Sequence, residues 1–187
     1  AFAEVFYYVR QPSRRVLGEI WERLEKAAQG AAMGTGTTVD WEIIHGAHEL
    51  LPNEPLGRAM QANLDVVGGV TYDDKEKAYA AEIGKTLPGG KPAAPELAAT
   101  VQPFNPNPVV GSASTDVGDV SWVVPTMGLA AATWVPGTPA HSWQAVACGG
   151  TSIGAKGMMV AAKTIALTAV DLFTTPQILA DAKADLN

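Results

Sequence analysis

The sequence predicts an α/β protein, and three observations support that prediction. Residues 1–50 follow a strand–helix–strand order. Between residues 120 and 135, short apolar runs are bounded by proline and glycine, as is typical of the buried strands of a sheet. The apolar segment that opens near Gly149 has the length of a helix that covers such a sheet. Together these patterns indicate two α/β lobes.

The first lobe begins with a predicted strand over residues 2–10, which are rich in aromatic and β-branched side chains. Ser13 follows a turn and is placed to cap a helix. Apolar residues at helical spacing then predict an amphipathic helix that ends near Gly30. These residues are Val16, Leu17, Ile20, Trp21 and Leu24. Alternation over residues 37–44 predicts a second strand with one buried face.

The second lobe is predicted to begin after the crossover at residues 51–55. Pro55 suits the first turn of a helix that continues to Gly68, and another helix is predicted over residues 73–85. Six of the 13 prolines lie in residues 88–108, which predicts a long surface loop. Buried strands are predicted at 120–125 and 128–135. An apolar helix is predicted from residues 149–152 to Asp171, and a last helix over 176–184.

Composition and charge restrict the class of protein. The 187 residues are 47% hydrophobic and 17% charged, which is enough apolar surface for a folded core. Nineteen acidic residues against 13 basic ones argue against nucleic acid or an anionic membrane as the main partner. Apolar stretches are interrupted before about 18 residues, so no membrane-spanning helix is expected.

The cysteine content and the start of the chain bear on location. The single cysteine, Cys148, cannot form an internal disulfide and is predicted to be a small buried thiol. This fits a reducing compartment or a periplasmic protein that needs no disulfide, and the cytoplasm is the expected compartment. The chain starts at Ala1 with no basic segment leading an apolar core, so we expect no signal peptide and a start inside a domain.

The three histidines are the first candidates for chemistry. His45 and His48 lie three residues apart at the end of a predicted strand, which sends them to opposite faces and prevents them from sharing one metal ion. His141 lies in a loop after a predicted buried strand, where binding residues are often found, although its spacing alone favours an ordinary loop histidine. Asp116 and Asp119 fit either helix caps or carboxylates that orient a metal-binding histidine.

The glycine-rich segment 149–157 does not predict a phosphate site. A P-loop requires a Gly-Lys-Ser or Gly-Lys-Thr sequence, whereas Lys156 lies between Ala155 and Gly157. Thr151 or Ser152 as a helix cap explains the segment better.

Six stretches of the chain resemble the dinuclear-metal amidohydrolase and carboxypeptidase family, which includes carboxypeptidase G, aminoacylase and the auxin-conjugate hydrolases. The stretches are Tyr7–Arg10, Gly30–Thr37, Leu50–Asn53, Ser114–Thr126, Gly137–Gln144 and Ser152–Met158. The resemblance implies a three-layer α/β/α metallohydrolase domain interrupted by a ferredoxin-like α+β lid that forms a homodimer. Residues 1–51 would be the second half of the lid, and residues 52–187 the C-terminal part of the catalytic domain.

The resemblance also implies roles for individual residues. His141 corresponds to the last metal ligand of a site for two divalent ions, zinc or manganese. Asn53 corresponds to an asparagine near bound substrate. Asp119 and Ser121 correspond to a supporting segment near the metals, although Gly118 stands where some relatives have glutamate.

The implied reaction is hydrolysis, by metal-activated water, of an amide that joins an acyl or aryl group to an amino acid such as glutamate. The other ligands and the general base of the family precede the point where this chain begins, so we expect these residues alone to be inert. The alternative hypothesis is a non-catalytic dimerisation or partner subunit that pairs through the edge of strand 2–10.

Overall fold

The computed structural model describes residues 2–90, 94–106 and 113–186, and all regular structure in that part of the chain is helical. The helices are α1 (Arg14–Thr35), α2 (Glu54–Val67), α3 (Asp74–Thr86), α4 (Glu96–Ala99), α5 (Val117–Ser121), α6 (Trp143–Gly149), α7 (Ser152–Thr174) and α8 (Pro176–Leu186). The predicted α/β class is therefore wrong. Neither the strand–helix–strand lid nor the three-layer α/β/α arrangement is found among the described residues.

The two strands predicted in the first lobe are irregular backbone. A strand is stable only when a neighbouring strand satisfies its backbone groups and covers one face, and alternation of side chains supplies neither. The side chains confirm that no face is covered: Phe2 is 88% exposed, and Trp41 and Ile43 are also exposed. The alternating pattern reflects the β propensity of these residues, but it does not show that a sheet is present.

The predicted strand at 120–125 is also wrong, because its first residues belong to helix α5. Local hydrogen bonds satisfy the backbone here. The carbonyl oxygen of Val120 accepts from the amides of both Val123 and Val124, at 3.0 Å each. Residues 128–135 carry no regular structure.

The chain divides into two compact units, and the first comprises the described part of Ala1–Leu51 and Pro108–Val124. Its main element is α1, which begins as predicted with the Ser13 side chain accepting a hydrogen bond from the Val16 amide. The helix ends at Thr35, about one and a half turns beyond the predicted end at Gly30, and Gly36 caps it with φ 65°. The five apolar residues of the predicted face are partly buried, as the spacing indicated.

The second unit comprises the described part of Pro52–Asn107 and Pro125–Asn187. Helices α2, α3 and α8 lie close to their predicted positions, and α2 and α8 both pack against α7. The core residues are Val70, Tyr72, Ala80, Ile83, Leu87, Ala98, Val135, Cys148 and Ile153. Cys148 is fully buried, as predicted. The predicted loop at 88–108 lies partly outside the described residues, and the rest of it contains the short helix α4.

Helix α7 was predicted to pack against a sheet, and the structure shows a different partner. It packs against α2, α6 and α8 rather than a sheet, and its buried residues are mostly small: Ile153, Gly154, Gly157, Thr164 and Thr168. By length and mean hydropathy of 1.4 it could cross a membrane, contrary to the sequence-based expectation. The core helix of a water-soluble protein meets the same criteria, so this property does not identify a membrane protein.

Gly157 allows the close approach of α7 to residues 132–133. A Cβ atom at this position would lie 2.4 Å from the carbonyl oxygen of Ala132. We expect Gly157→Ala to lower the free energy of unfolding by about 1–3 kcal/mol, because backbone must move to accept the methyl group. Urea unfolding measures the change. The matched control is Gly30→Ala, which adds its methyl group where no atom lies within 4 Å, and an equal loss in both variants would contradict the packing argument.

Candidate functional site

His141 lies in the loop that leads into α6, and its backbone is held in an unusual conformation. Its φ of 57° is the only positive value for a non-glycine residue within the described ranges. Ser142 fixes the loop on one side, since its hydroxyl donates to the Pro139 carbonyl at 2.7 Å and accepts from the Ala145 amide at 3.2 Å. A left-handed histidine costs about 1–3 kcal/mol and persists only where the surrounding structure imposes it.

The imidazole of His141 is exposed and open to a ligand. No hydrogen bond to its ring nitrogens is present among the described residues, so either nitrogen can coordinate a metal ion. In the same part of the chain, no group of three histidine, cysteine or acidic side chains is placed to share an ion. The role of His141 as a metal ligand stays a prediction.

Asn53 has a clear packing role. It is 3% exposed, its Oδ1 accepts from the Leu56 amide at 3.2 Å as the cap of α2, and its Nδ2 donates to the Ala182 carbonyl at 2.8 Å. The Oδ1 bond thus caps α2, and the Nδ2 bond connects the start of α2 with α8. Its position near substrate stays a prediction.

Asp119 and Ser121 both project from α5 towards residues 48–51, an arrangement that we call the α5 clamp. Oδ1 of Asp119 accepts hydrogen bonds from the backbone nitrogen and from Nδ1 of His48, each at 2.8 Å. Ser121 Oγ accepts from the Leu51 amide at 2.8 Å. The backbone bond and then the ring bond from His48 hold the pKa of Asp119 below its ordinary value. The clamp thus brings Asp119 to His48, a pairing that sequence reasoning missed.

Gly118 explains how the α5 clamp can form. A Cβ atom at residue 118 would lie 2.0 Å from the His48 carbonyl oxygen, a distance that no side chain can accept. Some relatives have glutamate at this position. In this chain the backbone at residue 118 lies so close to the backbone of His48 that only glycine fits.

Gly118→Ala is expected to open the α5 clamp, because the new methyl group overlaps the His48 carbonyl. The bond from the His48 amide to Asp119 should break, so its hydrogen exchange should accelerate by at least about tenfold, the equivalent of 1.4 kcal/mol. Exchange of the Val16 amide, at the start of α1, provides the internal reference. Unchanged protection of His48 would show that the contact does not depend on Gly118.

Trp122 completes the surroundings of His48. Its Nε1 donates to the Glu49 carbonyl at 2.8 Å, and its ring centroid lies 6.1 Å from that of His48 at a tilt of 50°. No local sequence signal could reveal that His48, Asp119 and Trp122 lie together, since 71 residues separate His48 from Asp119.

An ion pair between a buried glutamate and a partly exposed lysine lies at the start of α7, in the second unit. Glu76 is 4% exposed, and its carboxylate accepts from Lys156 Nζ at 2.5 Å and from Ser152 Oγ at 2.6 Å. It also accepts from the Asp73 amide at 2.8 Å, which completes a capping box at the start of α3. These bonds, Lys156 first, lower the pKa of Glu76 to about 2 against the opposing effect of burial. Lys156 therefore connects α7 with α3 rather than binding phosphate.

Comparison with known proteins reveals three relatives. The chain is 36% identical over 99% of its length to one of the subunits of the p-aminobenzoyl-glutamate hydrolase of Escherichia coli, and it covers 43% of that protein. It is 30% identical over 96% of its length to the Xaa-Arg dipeptidase of Mus musculus, and 27% identical over 99% to that of Homo sapiens. The chain spans less than half the length of each. No family model and no solved structure matches.

Proposed function

By its similarity along 99% of its length, the chain belongs to the amidohydrolase and peptidase family, and on that premise we propose that it forms part of a metal-dependent amidohydrolase. The predicted family is confirmed, as is the similarity to p-aminobenzoyl-glutamate hydrolase. Because the chain covers 43% of that relative, the activity of the whole protein is the proposal.

The observation that carries the proposal is the conformation of His141. The left-handed backbone, the exposed imidazole and the loop held by the Ser142 hydroxyl support a role for His141 as one nitrogen ligand. Backbone strain of this kind concentrates at functional sites.

His141 would hold one of two divalent ions, zinc or manganese, and the remaining ligands and the general base would come from sequence outside these residues. When bound, such ions polarise an amide carbonyl and make water nucleophilic at neutral pH. This chain would contribute the His141 imidazole, on a loop whose backbone the Ser142 side chain holds. Asn53 would help to place substrate, and Asp119 and Ser121 would act as supporting residues that fix residues 48–51.

The substrate class follows from the relatives taken together. Their names describe p-aminobenzoyl-glutamate and dipeptides that end in arginine. Each such molecule is an amide between an acyl or aryl group and an amino acid. We therefore propose that the substrate is an acyl- or aryl-amino acid, that the enzyme is a homodimer in which residues 1–51 take part, and that it acts in the cytoplasm.

The test uses the product of the complete reading frame that encodes these residues. With p-aminobenzoyl-glutamate as substrate, release of p-aminobenzoate should be measurable and should accelerate with added zinc or manganese. The corresponding ester, in which the oxygen of 2-hydroxyglutarate replaces the glutamate nitrogen, serves as a comparison that lacks the amide and releases the same p-aminobenzoate. Absence of amide cleavage under both metals would refute the proposal.

The alternative is a non-catalytic partner subunit, and one observation favours it. Large apolar side chains in residues 2–8, among them Phe2, Phe6 and Tyr8, are 67–88% exposed. Exposed patches of this kind mark protein interfaces. The strand edge that first suggested pairing is not formed, so the interface would have to use irregular backbone. A stable dimer without hydrolysis in the assay above would favour this alternative.

A further inference from the structure

We propose that the outward side of helix α7 is an interface that binds another part of the polypeptide to which these residues belong. This surface, which we call the outer α7 face, comprises Met158, Ile165, Val170 and Phe173, with Ala162 and Ala166 between them. The inference goes beyond the proposed function, since it concerns how the enzyme is assembled rather than what it cleaves. It rests on that function only for the statement that these residues form part of a longer enzyme.

The first argument is the composition of the outer α7 face. Successive residues of an α-helix are about 100° apart, so Ile165 and Val170, which bound the face, are separated by about 140° of the helix circumference. From Met158 to Phe173 every residue within this arc is apolar, and Lys163 lies just beyond its edge. The face extends for about 22 Å along the helix. A helix side that is meant to face water carries polar and charged residues, so this pattern indicates a covered surface.

The second argument is exposure. Ile165 and Val170 are each 54% exposed, and Phe173 is 88% exposed. The most apolar 18-residue window of α7 has a mean hydropathy of 1.4, yet only 17% of that window is buried within the described part of the chain. Helices α2, α6 and α8 pack against α7, and its buried threonines, Thr164 and Thr168, lie on the side opposite to the outer α7 face. A continuous exposed apolar patch of this kind marks an interaction surface.

The third argument concerns what covers the outer α7 face. The chain aligns along 99% of its length with the p-aminobenzoyl-glutamate hydrolase subunit but covers 43% of it, and it covers 35% of the Xaa-Arg dipeptidase of Mus musculus. More than half of each relative therefore has no counterpart in these residues. A covalently joined segment is present at an effective concentration of about 1 mM, which a second copy of the chain would have to reach by mass action. The remaining part of the same polypeptide is therefore the favoured occupant.

A lipid bilayer fits the outer α7 face less well. Helix α2 packs against α7 and carries an exposed ion pair between Glu54 and Arg58, so a bilayer that enclosed α7 would also have to enclose these charges. The net charge of −6 also disfavours adsorption to an anionic membrane. These charges favour a protein segment as the occupant.

The experiment measures the reactivity of a cysteine placed on the outer α7 face. In the product of the complete reading frame, Ile165→Cys should react with N-ethylmaleimide at least about tenfold more slowly than Glu82→Cys, because residue 165 is covered there. Glu82 is a matched control, since its side chain is 71% exposed on α3 in the same unit. In the 187-residue chain alone, the two variants should react within about threefold of each other. Mass analysis of the modified peptides gives both rates.

Several results of this experiment would overturn the proposal. Equal rates for the two variants in the complete product would do so, as would a reading frame that encodes nothing beyond these residues. Protection of residue 165 that rises with the concentration of the 187-residue chain would identify a second copy as the occupant. Protection that requires phosphatidylcholine vesicles would identify a membrane.

A charged substitution provides an independent test. Ile165→Glu should lower the midpoint of urea unfolding of the complete product by about 1 M or more, because an unpaired charge is then buried in the interface. The same substitution in the 187-residue chain should leave the midpoint within about 0.3 M, since the side chain there stays in water. A shift of equal size in both proteins, or no shift in either, would contradict the interface.

The outcome is separable from that of the proposed function, since neither measurement requires metal or substrate. Protection of residue 165 in a protein that hydrolyses no amide would refute the hydrolase and leave the interface intact. Conversely, hydrolysis by a complete product in which residue 165 reacts as fast as residue 82 would refute the interface and leave the hydrolase intact.

Discussion

Replacement of His141 is expected to abolish most hydrolysis in the product of the complete reading frame. His141→Ala should lower kcat/KM by at least about 100-fold and remove about one metal ion per protomer, because losing a ligand costs more than losing the groups that merely orient it. Steady-state kinetics and metal analysis of the same preparation measure both effects.

Two variants distinguish the loss of a metal ligand from the loss of the fold. His141→Asn keeps a residue that tolerates the left-handed backbone while removing the imidazole, so it should lose activity without losing helix content. His45→Ala removes a histidine that no described contact ties to the site, and its activity should be retained. Full activity and metal content in His141→Asn would refute the ligand assignment.

Loss of the Glu76 charge should produce the largest change in stability. Glu76→Gln keeps the size of the side chain but leaves Lys156 next to a neutral amide, so we expect a loss of about 2–3 kcal/mol in the free energy of unfolding at pH 7. The exposed pair of Glu82 and Lys85 is the control, and Glu82→Gln should change stability by less than about 1 kcal/mol. Urea unfolding distinguishes the two variants, and equal losses would contradict the role of burial.

The same carboxylate predicts a dependence of stability on pH. The pKa of Glu76 is lowered from 4.5 to about 2 in the folded protein, so its charged form is favoured by folding. The stabilisation is therefore complete above pH 4.5 and is lost as the pH falls towards 2. Unfolding measured at pH 7 and pH 3 should show a smaller difference in Glu76→Gln than in the parent chain. An identical difference would contradict this interpretation.

Local signals explain which elements the sequence could predict. The starts of α1 and α3 depend on Ser13 and on the Asp73–Glu76 capping box, which lie next to the helices they begin. The predicted strands failed because a strand depends on a neighbour, and alternation at residues 37–44 says nothing of whether that neighbour is present. Helix α5 was missed since its apolar residues resemble those of a buried strand over so short a segment.

The candidate site also combines features that a local motif reveals with features that only the structure reveals. The His141 loop was found because its motif is contiguous, whereas its left-handed backbone has no signal in a single sequence. The pairs His48–Asp119 and Glu76–Lys156 join residues 71 and 80 positions apart, so no periodicity could connect them. Gly118 shows most clearly what the sequence could not reveal. Its difference from the glutamate of some relatives argued against a role for this segment, whereas in the structure the glycine permits the α5 clamp.

Metal-dependent amide hydrolysis is tested most directly by removing and restoring the ions in the product of the complete reading frame. We expect chelation to stop release of p-aminobenzoate from p-aminobenzoyl-glutamate, and stepwise addition of zinc or manganese to restore the rate in proportion to the metal bound. The restored rate should be absent in His141→Asn. A metal-free protein that hydrolyses the amide at the original rate would contradict the proposed function.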